Sequence, residues 1–391
     1  MNNKLALYGG TPIRFKKDKQ KFPIGKEEKK AAIEVIKSGF LSAFRGGKHV
    51  QIFEKEFANF CDCQFGIATT SGTTALHTAI SSIGLKKGDE VLVPAFTFVS
   101  SASVILQENA TPVFVDIDDS FCMDTDDLEK KITPKTKAIV VVHLFGNPAD
   151  MEKIMKIAKK YSFKVIEDCA QAHGATINNK KVGSFGDFGC FSFFQTKNMT
   201  CGEGGMVVTN DENLYKKAKL KREHGSLQKE DGSWYNYEEL GYNYNMTEIQ
   251  AAIGLEQLKK LPLLNHKRQQ NSSVYKKLLK NLDLKFILER ENTENVCHNF
   301  PLLLPKCLVD KRDLFVKALK AEGVWADVCY PKPLFRTNLF INLGICGKCP
   351  AIEDVSSRII NLPTDPTITK EYVVDTCNAV KKCLKVFLDD K

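Results

Sequence analysis

Apolar and polar positions along this chain switch between a helical and a strand-like period. From Lys26 to Ser38, Ala31, Ala32, Val35 and Ile36 recur at helical spacing, and Gly39 ends the run. From Val50 to Phe60, Phe53, Phe57 and Phe60 share one face. Short apolar runs then alternate with helical ones. Gly66 to Thr69, Glu90 to Pro94, Pro112 to Asp116, Lys164 to Glu167 and Gly205 to Thr209 read as strands. Helices are predicted over Ala75 to Ile83, near Ser100 to Gln107, and over Asp150 to Lys160. Ala138 to His143 is continuously apolar, as a strand buried on both faces requires. Repeated strand–helix–strand crossovers imply an α/β architecture, a mostly parallel sheet with helices on both faces.

From Met246 the pattern becomes long helix. Thr247 is a candidate cap, Pro262 is predicted to interrupt, and a basic helix follows from Asn265 to Leu282. Strand signals near Phe300 to Leu304 and Val324 to Val328, with helices near Lys311 to Glu322 and Thr369 to Leu384, read as a smaller α+β unit. Gly9-Gly10-Thr11-Pro12 and Phe22-Pro23 read as an extended arm. A chain of 391 residues exceeds one ordinary core. The organisation expected is an arm over 1–25, a large domain over 26–262 and a small C-terminal domain over 263–391.

Composition narrows the function classes. Apolar residues make up 43% and charged ones 26%, as in a soluble globular protein. No apolar run approaches the ~20 residues that span a bilayer, and the start lacks a secretory pattern, so a cytoplasmic protein without a membrane partner is expected. The net charge of +9 comes from lysines spread along the chain, with clusters at Lys16, Lys17, Lys19 and Lys21 and at Lys26, Lys29 and Lys30. No nucleic-acid-binding module accompanies them, so no nucleic-acid partner is expected, whereas an anionic small substrate gains from the field. The thirteen cysteines are scattered, and the lone Cys346-Gly347-Lys348-Cys349 has no second ligand pair. A structural zinc site usually needs four ligands, so no metal is expected.

Sites in such sheets form at the carboxyl ends of strands, and three groups fall there. Ser71-Gly72-Thr73-Thr74 opens a helix with small residues, suited to a phosphate on backbone amides or simply to capping. Asp168 ends an apolar strand, with Gln171 three residues on. A carboxylate there can keep a pyridine nitrogen protonated, or merely favour a helix start. Lys197 follows the aromatic run Phe188 to Phe194, and Gly202, Gly204 and Gly205 come after it. An amine with a depressed pKa can form a Schiff base and afterwards move a proton. Ser192 is spaced to help hold a phosphate. Together these groups are the minimum equipment for pyridoxal phosphate chemistry.

These segments, with Pro94-Ala95-Phe96-Thr97-Phe98-Val99, Glu167-Asp168-Cys169-Ala170-Gln171-Ala172-His173-Gly174 and Gly241-Tyr242-Asn243-Tyr244-Asn245-Met246-Thr247-Glu248, resemble over essentially the whole length the DegT/DnrJ/EryC1/StrS sugar aminotransferases. The resemblance implies fold type I of the pyridoxal phosphate enzymes, with a mostly parallel seven-stranded sheet and a smaller α+β C-terminal domain. It implies that Lys197 forms the internal aldimine, Asp168 pairs with the pyridine nitrogen and Gln171 meets the phenolate oxygen. Gly72, Thr73 and Ser192 would bind the phosphate, and Phe98 would stack on the ring. Asn243 would reach the phosphate of the neighbouring subunit, which implies a homodimer with shared active sites. His143 and His173 are read as structural. Asn245 stands where many relatives carry arginine, and Lys197 stands where sugar dehydratases of the family carry histidine, so transamination is favoured. The expected reaction moves an amino group from glutamate or glutamine to a keto-sugar, foremost a nucleotide-linked keto-deoxysugar. Alternatives are a keto-cyclitol or 8-keto octulosonate acceptor, a dehydratase or an aromatase such as an aminohydroxybenzoate synthase, and a regulator that retains the fold.

Overall fold

The computed structural model describes residues 4–15, 22–43, 46–226 and 236–389. The basic cluster at Lys16, Lys17, Lys19 and Lys21 lies outside the described residues. Strands β1 (Phe65–Thr69), β2 (Glu90–Pro94), β3 (Thr111–Val115), β4 (Thr136–Val142) and β5 (Lys164–Asp168) precede a short hairpin, β6 (Thr176–Ile177) and β7 (Lys180–Lys181). Next come β8 (Phe188–Ser192) and β9 (Gly205–Thr209). The central sheet has seven strands in the order β1-β9-β8-β5-β4-β2-β3. Only β9 runs antiparallel to its neighbours. The expected mostly parallel α/β sheet is present.

Alternation along the strands buries both faces. Val91, Val93, Val140, Val142, Ile166 and Phe188 point into one core, while Leu92, Ile139, Val141 and Val165 point into another on the opposite side. A third core on that side gathers Phe53, Phe57, Phe191, Phe193, Met206 and Val208. Because β5 and β8 are parallel, Asp168 and the loop after Ser192 emerge at the same sheet edge.

The C-terminal part contributes β10 (Lys285–Phe286), β11 (Thr293–Glu294), β12 (Phe300–Leu303) and β13 (Ile359–Leu362). Strands β10, β12 and β13 form one sheet, and β11 joins the β6–β7 hairpin. A separate core holds Tyr275, Phe300, Phe315, Tyr372 and Val380, and Leu5 from the arm is part of it. The arm is therefore docked. Ala6 forms the start of a short 3-10 turn, and the Ala6 and Ile13 amides donate to buried Glu322 at 2.8 and 3.0 Å.

Two sequence expectations differ from the structure. Pro262 does not interrupt its helix, which runs unbroken from Glu248 to Leu279. Proline removes one backbone hydrogen bond, but the turns around it are held by tertiary contacts. Leu261 and Leu264 are buried, Gln257 Nε2 donates to Glu28 Oε1 at 2.7 Å, and Asn265 Nδ2 donates to the His173 carbonyl at 2.8 Å. Val324 to Val328 forms no strand. It pairs only through Asp327 and Asn361, and then lines a cavity.

Glu167 ties the sheet edge together. Its side chain is fully buried at the end of β5. One oxygen accepts the Phe185 and Gly186 amides at 2.8 and 2.7 Å, and the other accepts the Gly183 amide at 2.8 Å. His143 Nδ1 accepts the Ala149 amide at 3.0 Å, which leaves Nε2 as the donor to Glu167 at 3.0 Å. Cys169 brings a third ligand-type atom close to this pair. Both Glu167 oxygens and both His143 nitrogens are already bonded, so the cluster acts as a structural clamp.

Among the described residues no helix is long and apolar enough to cross a membrane. All thirteen cysteines are free thiols, including exposed Cys346 and buried Cys349.

Glu167→Gln keeps the shape but turns an NH₂ group toward backbone or imidazole donors. The substitution is expected to destabilise the protein by roughly 2–4 kcal/mol in denaturant unfolding. An unchanged midpoint would show that the clamp does not hold the edge.

Candidate active site

The helix Gly72–Ser82 opens at the C-terminal end of β1. Ser71 Oγ takes the Thr74 amide at 3.1 Å, and the Ser71 carbonyl takes the Ala75 amide at 3.0 Å. The Gly72 and Thr73 amides are left to open the first turn toward the cavity that both residues line. Glycine is needed here. A Cβ on Gly72 would stand 2.6 Å from Ser192 Cβ, and one on Gly205 would stand 2.2 Å from the Ser71 carbonyl oxygen. Thr73 Oγ1 lies 2.7 Å from Ser100 Oγ, so two helix starts meet beside Ser192. Amides and hydroxyls converge as an anion cradle.

Asp168 is buried in the same cavity, at the end of β5. Ser101 Oγ donates to Oδ2 at 2.7 Å, with Thr97 Oγ1 2.9 Å behind it, and the Ala170 amide donates to Oδ1 at 3.1 Å. Gln171 Oε1 accepts the Phe145 amide at 2.8 Å, while Nε2 donates to Tyr330 Oη at 3.2 Å. The amide orientation is thereby set, with a second N–H left on Nε2. Burial pushes the Tyr330 phenol upward, so it stays protonated.

Lys197 lies in the β8–β9 loop, its amide bonded to the Phe194 carbonyl at 2.9 Å. Burial depresses its pKa, and the Asp168 and Cys329 side chains oppose that shift. The loop is anchored by Asn198, which donates to Asn265 Oδ1 at 2.9 Å and to the Val296 carbonyl at 3.2 Å. His298 Nδ1 meets Asn198 Oδ1 at 3.0 Å. Burial, then the charge of Lys197, holds His298 well below its ordinary pKa and lowers His173 to about 3. His173 packs against the Phe191 and Phe193 rings.

Gly72, Thr73, Phe98, Asp168, Gln171, Ser192 and Lys197 all line one cavity of about 1080 Å³. Phe98 is 58% exposed at its mouth. Asn243 does not line it and is exposed elsewhere on the surface. The sequence pattern of the DegT/DnrJ/EryC1/StrS aminotransferase family matches residues 23–381. The chain belongs to this family.

Relatives extend over most of the chain. A UDP-N-acetyl-3-dehydro-alpha-D-glucosamine 3-aminotransferase of Acidithiobacillus ferrooxidans is 39% identical over 345 residues, 88% of this chain and 90% of its own. A GDP-perosamine synthase of Escherichia coli O157:H7 is 36% identical, covering 93% of this chain and 96% of its own. Among solved structures, Helicobacter pylori PseC, an aminotransferase involved in the biosynthesis of pseudoaminic acid, superposes with a TM-score of 0.89. It is 32% identical over 95% of this chain and all of its own. The protein is a pyridoxal phosphate-dependent aminotransferase.

The cavity fits that cofactor on its own evidence. The cradle around Gly72, Thr73 and Ser192 suits a phosphate, Asp168 offers a buried carboxylate for a protonated ring nitrogen, and Lys197 offers an amine made less basic by burial. Ser101, Asn198, His298 and Tyr330 escaped sequence reasoning. Their partners lie far away along the chain, as with Gln171 and Tyr330 or Asn198 and His298. Only the paired serines at 100 and 101, at a predicted helix start beside a strand end, were a local signal.

Capture of pyridoxal phosphate through Lys197 would require its neutral amine. A depressed pKa makes the neutral amine available at lower pH. The capture rate, followed by absorbance, is expected to rise with pH and level off below the ordinary lysine value of about 10.4. A profile that still climbs through that value would contradict the depressed pKa.

Proposed function

We propose that this aminotransferase moves an amino group from glutamate or glutamine onto the ketone of a nucleotide-linked keto-deoxysugar. The observation that carries the acceptor class is the reach of the cavity. It continues from the cradle to a far wall built by Trp325, Asp327, Asn361 and Thr364. Its volume of about 1080 Å³ is at the upper end of small-molecule sites, which run to roughly 1,000 Å³, so there is room for more than a cofactor and an amino acid. Trp325 offers an aromatic face, and Lys320 and Arg268 on the same lining suit a phosphorylated ligand. The sugar-nucleotide names of the relatives support the same class.

In this reading Gly72, Thr73 and Ser192 hold the cofactor phosphate, Asp168 holds the ring nitrogen protonated, Gln171 donates to the ring oxygen and Phe98 covers a ring face. When bound, pyridoxal phosphate supplies an electron sink for the bond broken at the substrate carbon. Lys197 binds the cofactor at rest. Once displaced, its neutral Nζ moves a proton between the substrate carbon and the cofactor's aldehyde carbon. His298 and His173 stay neutral and do not compete for it.

The reading includes a homodimer with shared sites. Exposed Asn243 is flanked by exposed Tyr237 and Leu240, and Phe98 and Phe194 are exposed at the cavity mouth. A second copy covering these apolar residues would bring Asn243 to the neighbouring cradle. Thirteen free thiols suit a reducing compartment, in keeping with a cytoplasmic site of action.

Purified protein incubated with glutamate and UDP- or GDP-linked keto-deoxysugars is expected to yield the nucleotide-linked amino sugar with 2-oxoglutarate, detected by mass spectrometry. Lys197→Ala is expected to reduce turnover by at least about a thousandfold. Amination of a free keto-cyclitol with no turnover of any nucleotide-linked sugar would contradict the proposed acceptor.

A further inference from the structure

Residues 241–245 pass across the surface without entering the cavity of their own subunit, yet they are held by several polar contacts. The Tyr242 and Tyr244 amides donate to the Lys221 and Arg222 carbonyls at 2.7 and 3.1 Å, and the His224 amide returns a bond to the Tyr242 carbonyl at 2.8 Å. The Tyr242 and Tyr244 rings stack at 5.1 Å and 9°. Between them Asn243 is exposed. Its Oδ1 accepts from Asn245 Nδ2 at 3.1 Å, and the same nitrogen donates to Glu223 Oε1 at 3.1 Å. With its oxygen engaged inside the segment, the Asn243 amide presents N–H donors outward. That is the polarity a phosphate requires.

The anchor beneath this segment is His77. It sits on the helix Gly72–Ser82, whose first turn forms the anion cradle, and it is only 4% exposed. Nδ1 lies 2.9 Å from Tyr244 Oη, and Nε2 lies 2.9 Å from Glu108 Oε1. The imidazole also packs 4.7 Å from the Tyr242 ring. Glu108 closes the helix Ser100–Gln107, whose other end supplies Ser100 and Ser101. Both helices that start at the cradle therefore join one network, in which Glu108 bonds to His77 and His77 reaches the segment bearing Asn243 through Tyr244.

We propose that Glu108, His77 and Tyr244 form a brace that holds Asn243 ready to donate to the cofactor phosphate of a second copy of the chain. His77 is thus a positioning residue for the neighbouring site, not for its own. The inference rests on the shared-site dimer proposed above. A buried polar network serving only its own subunit's fold would act on the cradle of that same subunit, and this difference is measurable.

The test uses mixed dimers purified through two different tags, each with a single cofactor-attaching lysine. In the first, a His77→Phe chain is paired with a Lys197→Ala chain. The surviving lysine site then receives Asn243 from an intact brace. In the second, a chain carrying both substitutions is paired with an unchanged chain, so the surviving site receives Asn243 from a broken brace. Pyridoxal phosphate affinity, read from the absorbance of lysine-bound cofactor, is expected to match the unchanged protein within about twofold in the first and to weaken roughly tenfold in the second. Tyr244→Phe, which removes one hydrogen bond and keeps the stacked ring, is expected to shift affinity in the same arrangement but less, and it replaces His77→Phe if that chain fails to fold. Weakening in the first dimer, or equal affinity in both, overturns the brace. Asn243→Ala in the same two arrangements tests the reading beneath it. If Asn243→Ala weakens its own subunit's site, or the unchanged protein sediments as a monomer, the shared-site dimer itself fails.

Discussion

The sheet edge depends on one buried carboxylate. Glu167 and Asp168 are adjacent at the end of β5, so the strand sends their side chains to opposite faces. Glu167 turns away from the cavity and gathers three backbone amides and the His143 ring, which fixes the 183–186 turn that leads into β8. Asp168 turns into the cavity. A buried carboxylate without such partners would be strongly unfavourable, so the turn has little freedom to move away. Since β8 then leads to Ser192 and Lys197, the clamp sets the distance between the acid and the amine. The placing of these two groups in the cavity is built on an interaction that lies outside it.

The cavity's electrostatics follow from the same economy of charge. Burial makes the Lys197 proton labile, while Asp168 opposes that shift and is itself held by Ser101 and the Ala170 amide. Four neighbouring groups are held in one protonation state by burial. His298 and His173 are held neutral, and Tyr330 and the Cys329 thiol, the latter pushed up to about 11, remain protonated. The cradle adds no formal charge, only oriented amides and hydroxyls, which suits an anion without drawing the lysine into a static ion pair.

Much of this was legible along the chain because its signals are local. The continuous apolar run at 138–143, the small-residue turn at 71–74, the strand-ending Asp168 and the lysine after an aromatic strand each occupy a few neighbouring positions. What escaped is non-local. Pro262 reads as a break by its own chemistry, but contacts from Glu28 and His173 hold the flanking turns of the helix. Val324 to Val328 has strand composition, yet Asn361 offers it only a single bridge. Tyr330, His298 and Trp325 carry no local mark, and they reach the cavity only when the C-terminal part folds back over the sheet edge. Asn243 was legible as a residue but not as a place, since its expected partner is another copy of the chain.

The central claim is that Lys197 carries the cofactor in the cavity lined by Asp168 and the Gly72–Thr73 turn. Borohydride reduction of the cofactor-loaded protein, followed by proteolysis and mass spectrometry, reads this directly. One pyridoxyl-modified lysine per chain is expected, on the peptide that contains Lys197. Modification at another lysine, or none above the background of surface lysines, would contradict it.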